Sequence, residues 1–199
     1  MTPQNKKRIA LFGGTFDPLH IGHMALANIV YYSSPLPLEG VCLVPTIQNP
    51  LKKEGENLLS FDFRCQMIKS AISRDRRFFY SRLEEQLPSP HYTYDLLEAF
   101  TRCHPDITFV LLIGSDNWLN ISKWYRYKEL IEQYEILIYP RRGYDINEEN
   151  LPPNVYFLKG LPLIEICSTA IREGVKRGED LRFLIPTPEL FPLLRREVR

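Results

Sequence analysis

The sequence predicts an α/β fold, a mostly parallel sheet with helices on both faces, and three observations predict it. Short apolar runs alternate with helix-patterned stretches along the 199 residues, the order that βαβ units produce. The strongest run, Ile107 to Ile113 (ITFVLLI), is apolar without a break, as a strand covered on both faces must be. Four stretches rich in glycine, hydroxyl or charge directly follow strand-like runs, where open parallel sheets bind their ligands.

Taken in order, Arg8 to Phe12 is a strand ending in Gly13-Gly14, and a helix runs to about Tyr32. Pro35 closes that helix, because the residue before a proline avoids helical geometry. Gly40 to Val44 is a second strand, stopped by Pro45, and Thr46 to Leu59 reads as a long exposed loop. Ser60 is the expected N-cap of a helix carrying Phe61, Cys65, Ile68 and Ile72 on one stripe. Phe78 to Leu83 is a third strand and Thr93 to Phe100 a helix. Trp118 to Glu132 reads as helical with a break near Ser122, and Glu135 to Tyr139 as a strand halted by Pro140. Val155 to Leu158 is a short strand, and Ser168-Thr169 begin a helix reaching about Lys176. Thr187, as N-cap before Pro188, opens a last helix. Residues 1–199 are expected to form one domain, with about 160–199 packing as a small helical extension.

A net charge of +1 argues against a nucleic-acid binder, whose phosphate contacts need a basic excess. The four cysteines are scattered without a CxxC pair, so reduced, mostly buried thiols are expected in place of disulfides or zinc. The apolar run after Lys6-Lys7-Arg8 is too short for a signal segment, and nothing reaches membrane-spanning length. A cytoplasmic protein is expected, with homo-oligomerisation left open.

The stretch from Gly13 to His23 reads GGTFDPLHIGH. Paired glycines let a ligand approach the backbone closely, and the helix that follows presents unpaired N–H groups to phosphate. His20 and His23, two of only four histidines, are spaced to face one ligand. Neither the GxGxxG nor the GK[ST] spacing is present. Ser168, Thr169 and Arg172 form a second group suited to phosphate oxygens, or else an ordinary helix cap with a solvated arginine. Gly114 and Asp116 follow the central strand, where the carboxylate suits ribose hydroxyls or a helix cap.

GGTFDPLHIGH resembles the signature of the HxGH nucleotidyltransferases, and the whole chain resembles the bacterial nicotinate-nucleotide adenylyltransferase family. ICSTAIR is similar to that family's ISSTxIR, with Cys167 in place of a serine. The resemblance implies a Rossmann-like nucleotidyltransferase fold and adenylyl transfer from ATP to nicotinate mononucleotide in NAD biosynthesis. It implies His20 and His23 as catalytic groups, with ATP held by Gly13, Gly14, Thr15, Phe16, Gly114, Asp116, Ser168, Thr169 and Arg172. Thr93, Trp124 and Tyr125 map onto nicotinate-binding positions, and Asn49 and Lys53 onto a substrate loop whose family pattern, NPPHK, is NPLKK here. Magnesium is expected to arrive with ATP, bound mainly by phosphates and water, with no protein metal ligands. Adenylyltransferases acting on nicotinamide mononucleotide or pantetheine phosphate, and a non-catalytic nucleotide-binding regulator, are the alternatives.

Overall fold

The computed structural model describes residues 6–47 and 59–198. Asn49 and Lys53, like most of the expected Thr46–Leu59 loop, lie outside the described residues. Six strands are described: β1 (Lys7–Gly14), β2 (Gly40–Pro45), β3 (Phe78–Tyr80), β4 (Ile107–Gly114), β5 (Glu135–Tyr139) and β6 (Val155–Phe157). They form one sheet in the order β3-β2-β1-β4-β5-β6, and every neighbouring pair is parallel. The helices are α1 (Ile21–Ser33), α2 (Phe61–Ile72), α3 (Thr93–Cys103), α4 (Ser115–Trp118), α5 (Tyr127–Gln133), α6 (Ser168–Lys176) and α7 (Phe191–Glu197).

Alternation along the strands divides the core in two. Ala10, Phe12, Val41, Leu43, Val110, Leu112 and Leu137 face a layer containing α1, α2, α6 and α7. Leu11, Cys42, Val44, Leu111, Ile113, Ile136 and Ile138 face α3 and α5. A strand with both faces buried reads as a continuous apolar run, which is why Ile107 to Ile113 shows no polar partner position. The C-terminal segment joins the first layer through Ile171, Val175, Ile185, Phe191 and Leu194. The direction in which successive strands are added reverses between β1 and β4, so a crevice opens beyond their carboxyl ends.

Three local expectations are corrected, and a fourth is met with wider bounds. β3 stops at Tyr80, because the Ser81 hydroxyl accepts the Leu83 N–H at 3.1 Å and starts a 3₁₀ turn, Leu83–Gln86. The break expected near Ser122 is present and is wide: α4 ends at Trp118, a 3₁₀ turn covers Ile121–Lys123, and α5 begins at Tyr127. There the Asn120 side chain donates to the Asp116 carbonyl at 2.9 Å, which competes with helix continuation. Thr187 makes no side-chain cap; Pro188–Leu190 is a 3₁₀ turn and α7 starts at Phe191, ahead of a second proline. Of the four cysteines, all free thiols, Cys42 and Cys65 are buried but Cys103 and Cys167 are exposed. Burial pushes the Cys42 thiol up to about 12. Among the described residues, no helix is long and apolar enough to cross a membrane.

Candidate active site

The turn after β1 is held by its own side chains. Phe16 has φ +48°, a left-handed conformation that bulky residues rarely adopt. Its buried ring packs edge-on against Phe12 at 5.5 Å and against His23 at 4.9 Å. Gly14 makes room for that ring: a Cβ there would come within 3.1 to 3.4 Å of it. At Gly13 a Cβ would meet nothing within 4 Å, so this position is open to the cleft. The Asp17 carboxylate accepts the Leu59 N–H at 3.2 Å and pairs with Arg172 at 3.4 Å.

His20 sits in the N-cap position of α1, and His23 folds back so that its Nδ1 accepts the His20 N–H at 3.2 Å. That bond assigns the His23 proton to Nε2, leaving Nε2–H as a donor. The two rings stack 3.6 Å apart. Burial lowers the His20 pKa to about 4, with the Arg141 charge adding to the effect. Burial, then His20, then Arg141 hold His23 well below its usual value. Both rings are therefore neutral near pH 7, and each can offer one ring N–H rather than a positive charge.

Two clefts meet here. The larger, ≈ 390 Å³, spans Gly13 to Asp17, His23, Thr93, Trp124, Tyr125, Ser168, Thr169 and Arg172. The smaller, ≈ 180 Å³, is lined by His20, Gly22, Ile164 and Cys167. Phe12, His23, Tyr139, Arg141 and Ser168 border both. The described residues thus bring together both histidines, the glycine turn, the α6 group and the aromatic group. Asp116 joins them through Arg141, whose guanidinium lies 3.8 Å from its Oδ1.

At the start of α6 a thiol and a hydroxyl are engaged within the chain. Cys167 takes the N-cap, its Sγ accepting the Ala170 N–H at 3.4 Å, and the Ser168 hydroxyl donates to the Pro18 carbonyl at 3.0 Å. α6 is thereby tied to the phosphate turn. Arg172 donates to the Asp17 carbonyl and approaches the Thr169 hydroxyl at 3.5 Å. In the aromatic group, Tyr92 stacks on Tyr125 at 4.4 Å, and the Trp124 Nε1–H is buried with no partner among the described residues. Thr93 is the first residue of α3, so unpaired N–H groups lie beside its hydroxyl.

Three residues were not singled out from the sequence. Arg141 follows the carboxyl end of β5, and its position after a strand end was the available signal. Arg64 and Glu84 are buried charges. Position 64 lies three from Phe61 and four from Ile68, on the apolar stripe of α2, so an arginine there was itself a signal.

A family model described as cytidylyltransferase-like matches residues 11–174, from within β1 to within α6. The chain belongs to that family. This cytidylyltransferase-like chain is 46% identical over 179 residues to a protein of Porphyromonas gingivalis named probable nicotinate-nucleotide adenylyltransferase, covering 90% of this chain and 89% of the relative. A relative of the same name from Bacteroides thetaiotaomicron is 37% identical, covering 100% of this chain and 96% of the relative. Within its family the chain therefore sits among the nicotinate-nucleotide adenylyltransferases. The solved structure of Plasmodium falciparum nicotinic acid mononucleotide adenylyltransferase complexed with NaAD superposes with a TM-score of 0.73 at 23% identity, covering 96% and 94% of the two chains. That likeness bears on the fold, the Rossmann-like nucleotidyltransferase architecture.

Proposed function

We propose that this chain transfers the adenylyl group of ATP to nicotinate mononucleotide, giving nicotinate adenine dinucleotide and pyrophosphate. The observation that carries the reading is one continuous cleft joining the phosphate turn, the α6 anion group and the Trp124–Tyr125–Thr93 pocket. A triphosphate and an aromatic acceptor can then lie end to end. An acceptor phosphate oxygen attacks the α-phosphorus, and the bond to the bridging oxygen breaks as pyrophosphate leaves. That nucleophile is already ionised, so catalysis is positioning and charge stabilisation. His23 Nε2–H, with His20 beside it, donates to phosphate oxygens. Arg172 and the turn N–H groups hold the leaving pyrophosphate, Gly114 and Asp116 the adenosine, and Trp124 stacks on the pyridine ring.

The nicotinate carboxylate would meet donors at the α3 N-terminus: the Thr93 hydroxyl and unpaired N–H groups. A nicotinamide NH₂ would face those donors with no acceptor, leaving polar groups unpaired at about 1–3 kcal/mol. Among the described residues no three His, Cys, Asp or Glu side chains gather into a metal cage. The groups facing the phosphate turn, His23, Arg141 and Arg172, are nitrogen donors, which suit phosphate oxygens, whereas magnesium prefers oxygen ligands. Magnesium therefore fits as a partner of the triphosphate these residues hold, where it neutralises charge on the phosphate oxygens. Such substrates and exposed free thiols imply a cytoplasmic enzyme.

Pyrophosphate release measured with ATP and a panel of nicotinate mononucleotide, nicotinamide mononucleotide and pantetheine phosphate tests the reading. We expect nicotinate mononucleotide to exceed the amide more than tenfold in kcat/KM. Equal constants, or preference for another acceptor, would overturn the assignment. No release with any acceptor would leave a nucleotide-binding regulator.

A further inference from the structure

Arg64 of α2 is 1% exposed. Its Nη1 donates to the Thr15 carbonyl and to the Thr46 carbonyl, each at 2.7 Å, and Nη2 approaches the Ile47 carbonyl at 3.5 Å. Thr15 leaves β1 on the phosphate turn; Thr46 and Ile47 leave β2. From the 3₁₀ turn, the buried Glu84 carboxylate accepts the Ile47 N–H at 3.4 Å. Its second oxygen is buried without a partner among the described residues, and Glu84, Thr15 and Thr46 all line the large cleft.

Pairing of β1 with β2 runs from Ile9–Gly40 to Gly14–Pro45, with one further bond from Thr46 N–H to Gly14 carbonyl at 2.9 Å. The side-chain contacts begin where that ladder ends and the two chains diverge around the cleft. A planar guanidinium serves several carbonyls at once, which an ammonium cannot do in the same geometry. Holding a buried charge is costly. Burial lowers the Arg64 pKa and raises that of Glu84 to about 7, the latter moderated by Ile47 N–H and Arg64.

We propose that Arg64, backed by Glu84, is a positioning residue for ATP: it fixes the phosphate turn against the end of β2 and so sets where the triphosphate lies relative to the acceptor. The inference rests on the adenylyl-transfer reading above. The other charged and titratable groups around the pair are Asp17 of the phosphate turn and Cys65 of α2. His91 lines the same cleft, and Arg82, paired with Asp62 and Glu85, lies at the solvent side. Above its pKa the Glu84 carboxylate offsets the Arg64 charge and accepts from Ile47. Protonation removes that offset, so use of ATP falls as pH drops through about 7.

Steady-state kinetics of Arg64→Lys and Glu84→Gln, with each substrate varied, provide the test. Arg64→Lys is expected to raise the ATP KM at least tenfold while the acceptor KM stays within threefold. The substrates' own phosphates titrate in every variant. The ratio of unaltered to Glu84→Gln kcat/KM profiles for ATP therefore isolates Glu84, and is expected to fall at least threefold from pH 8 to pH 6. Equal shifts in both KM values, unchanged KM values, or a flat ratio would each overturn the proposal. If Arg64→Lys does not fold, the Glu84→Gln ratio decides. Failure of the unaltered chain to use nicotinate mononucleotide would instead overturn the functional reading, and the same comparison would be read on whichever acceptor is used.

Discussion

At the scale of single residues, the histidine pair is ruled by burial more than by charge. A neutral His20 with its pKa near 4 must take up a proton on unfolding below about pH 6.5. Stability is therefore unaffected by this group above about pH 6.5 and falls as pH drops toward 4, by on the order of 3 kcal/mol in all. A bound triphosphate acts in the opposite direction, since nearby negative charge favours the imidazolium. Histidine resonances followed by NMR should show His20 titrating near pH 4 in the free chain and at least one unit higher with a non-hydrolysable ATP analogue. A midpoint near 6.5 in the free chain would contradict the buried, neutral pair. His23→Ala removes the Nε2–H donor fixed by the His20 N–H contact. Turnover at saturating substrates should drop on the order of a hundredfold. The sequence showed this pair because its chemistry is local: glycine turn, imidazoles and helix start lie within eleven residues. Arg141, which lowers both histidine pKa values, arrives from the end of β5, two strands away from β1, and only its place after a strand end marked it.

Among the elements, those fixed by apolar periodicity were legible, as was the break near Ser122, whereas the side-chain bonds that set the exact ends were not. The order of strands and helices follows from runs such as Ile107 to Ile113, and Ser168–Lys176 forms the helix its hydroxyls announced. The stretch between α4 and α5 has helical composition, yet Asn120 and the left-handed Arg126 (φ +52°) break it. That break leaves Trp124 and Tyr125 on an irregular connection lining the cleft. The β4–α4 junction carries a sharper constraint. A Cβ at Gly114 would collide with the Asp116 Oδ1 and lie 3.2 Å from the Tyr139 ring. Gly114→Ala should therefore turn the Asp116 carboxylate away and weaken the contact assigned to the ribose. An increase in ATP KM of about tenfold, corresponding to about 1.4 kcal/mol, is expected with acceptor KM changed less than threefold. Equal KM values for ATP in the two forms would show that Asp116 does not touch the nucleotide.

For the whole molecule, the site is assembled from both halves of the sheet and from the C-terminal helices. The phosphate turn and α2 lie on the β1–β2 side, Arg141 on the β5 side, and Ser168 and Arg172 on α6. The Ser168–Pro18 and Arg172–Asp17 contacts, 150 and 155 residues apart in sequence, tie the last helices to the first turn. Ile171, Val175, Phe191 and Leu194 share one apolar cluster with Phe12 and Leu112. We propose that residues 1–199 unfold as one unit, because separating the C-terminal segment would expose that cluster to water. Calorimetry should then give one transition, with calorimetric and van't Hoff enthalpies equal. ATP contacts residues from both halves in the proposed mode, so it should stabilise that single transition as a whole. At a concentration of about 100 Kd the gain is about 2.7 kcal/mol, or roughly 5–10 °C in Tm for a chain of this size. Two resolved transitions, with only one moved by ATP, would show that the C-terminal helices form a separate unit and that the phosphate site does not depend on them.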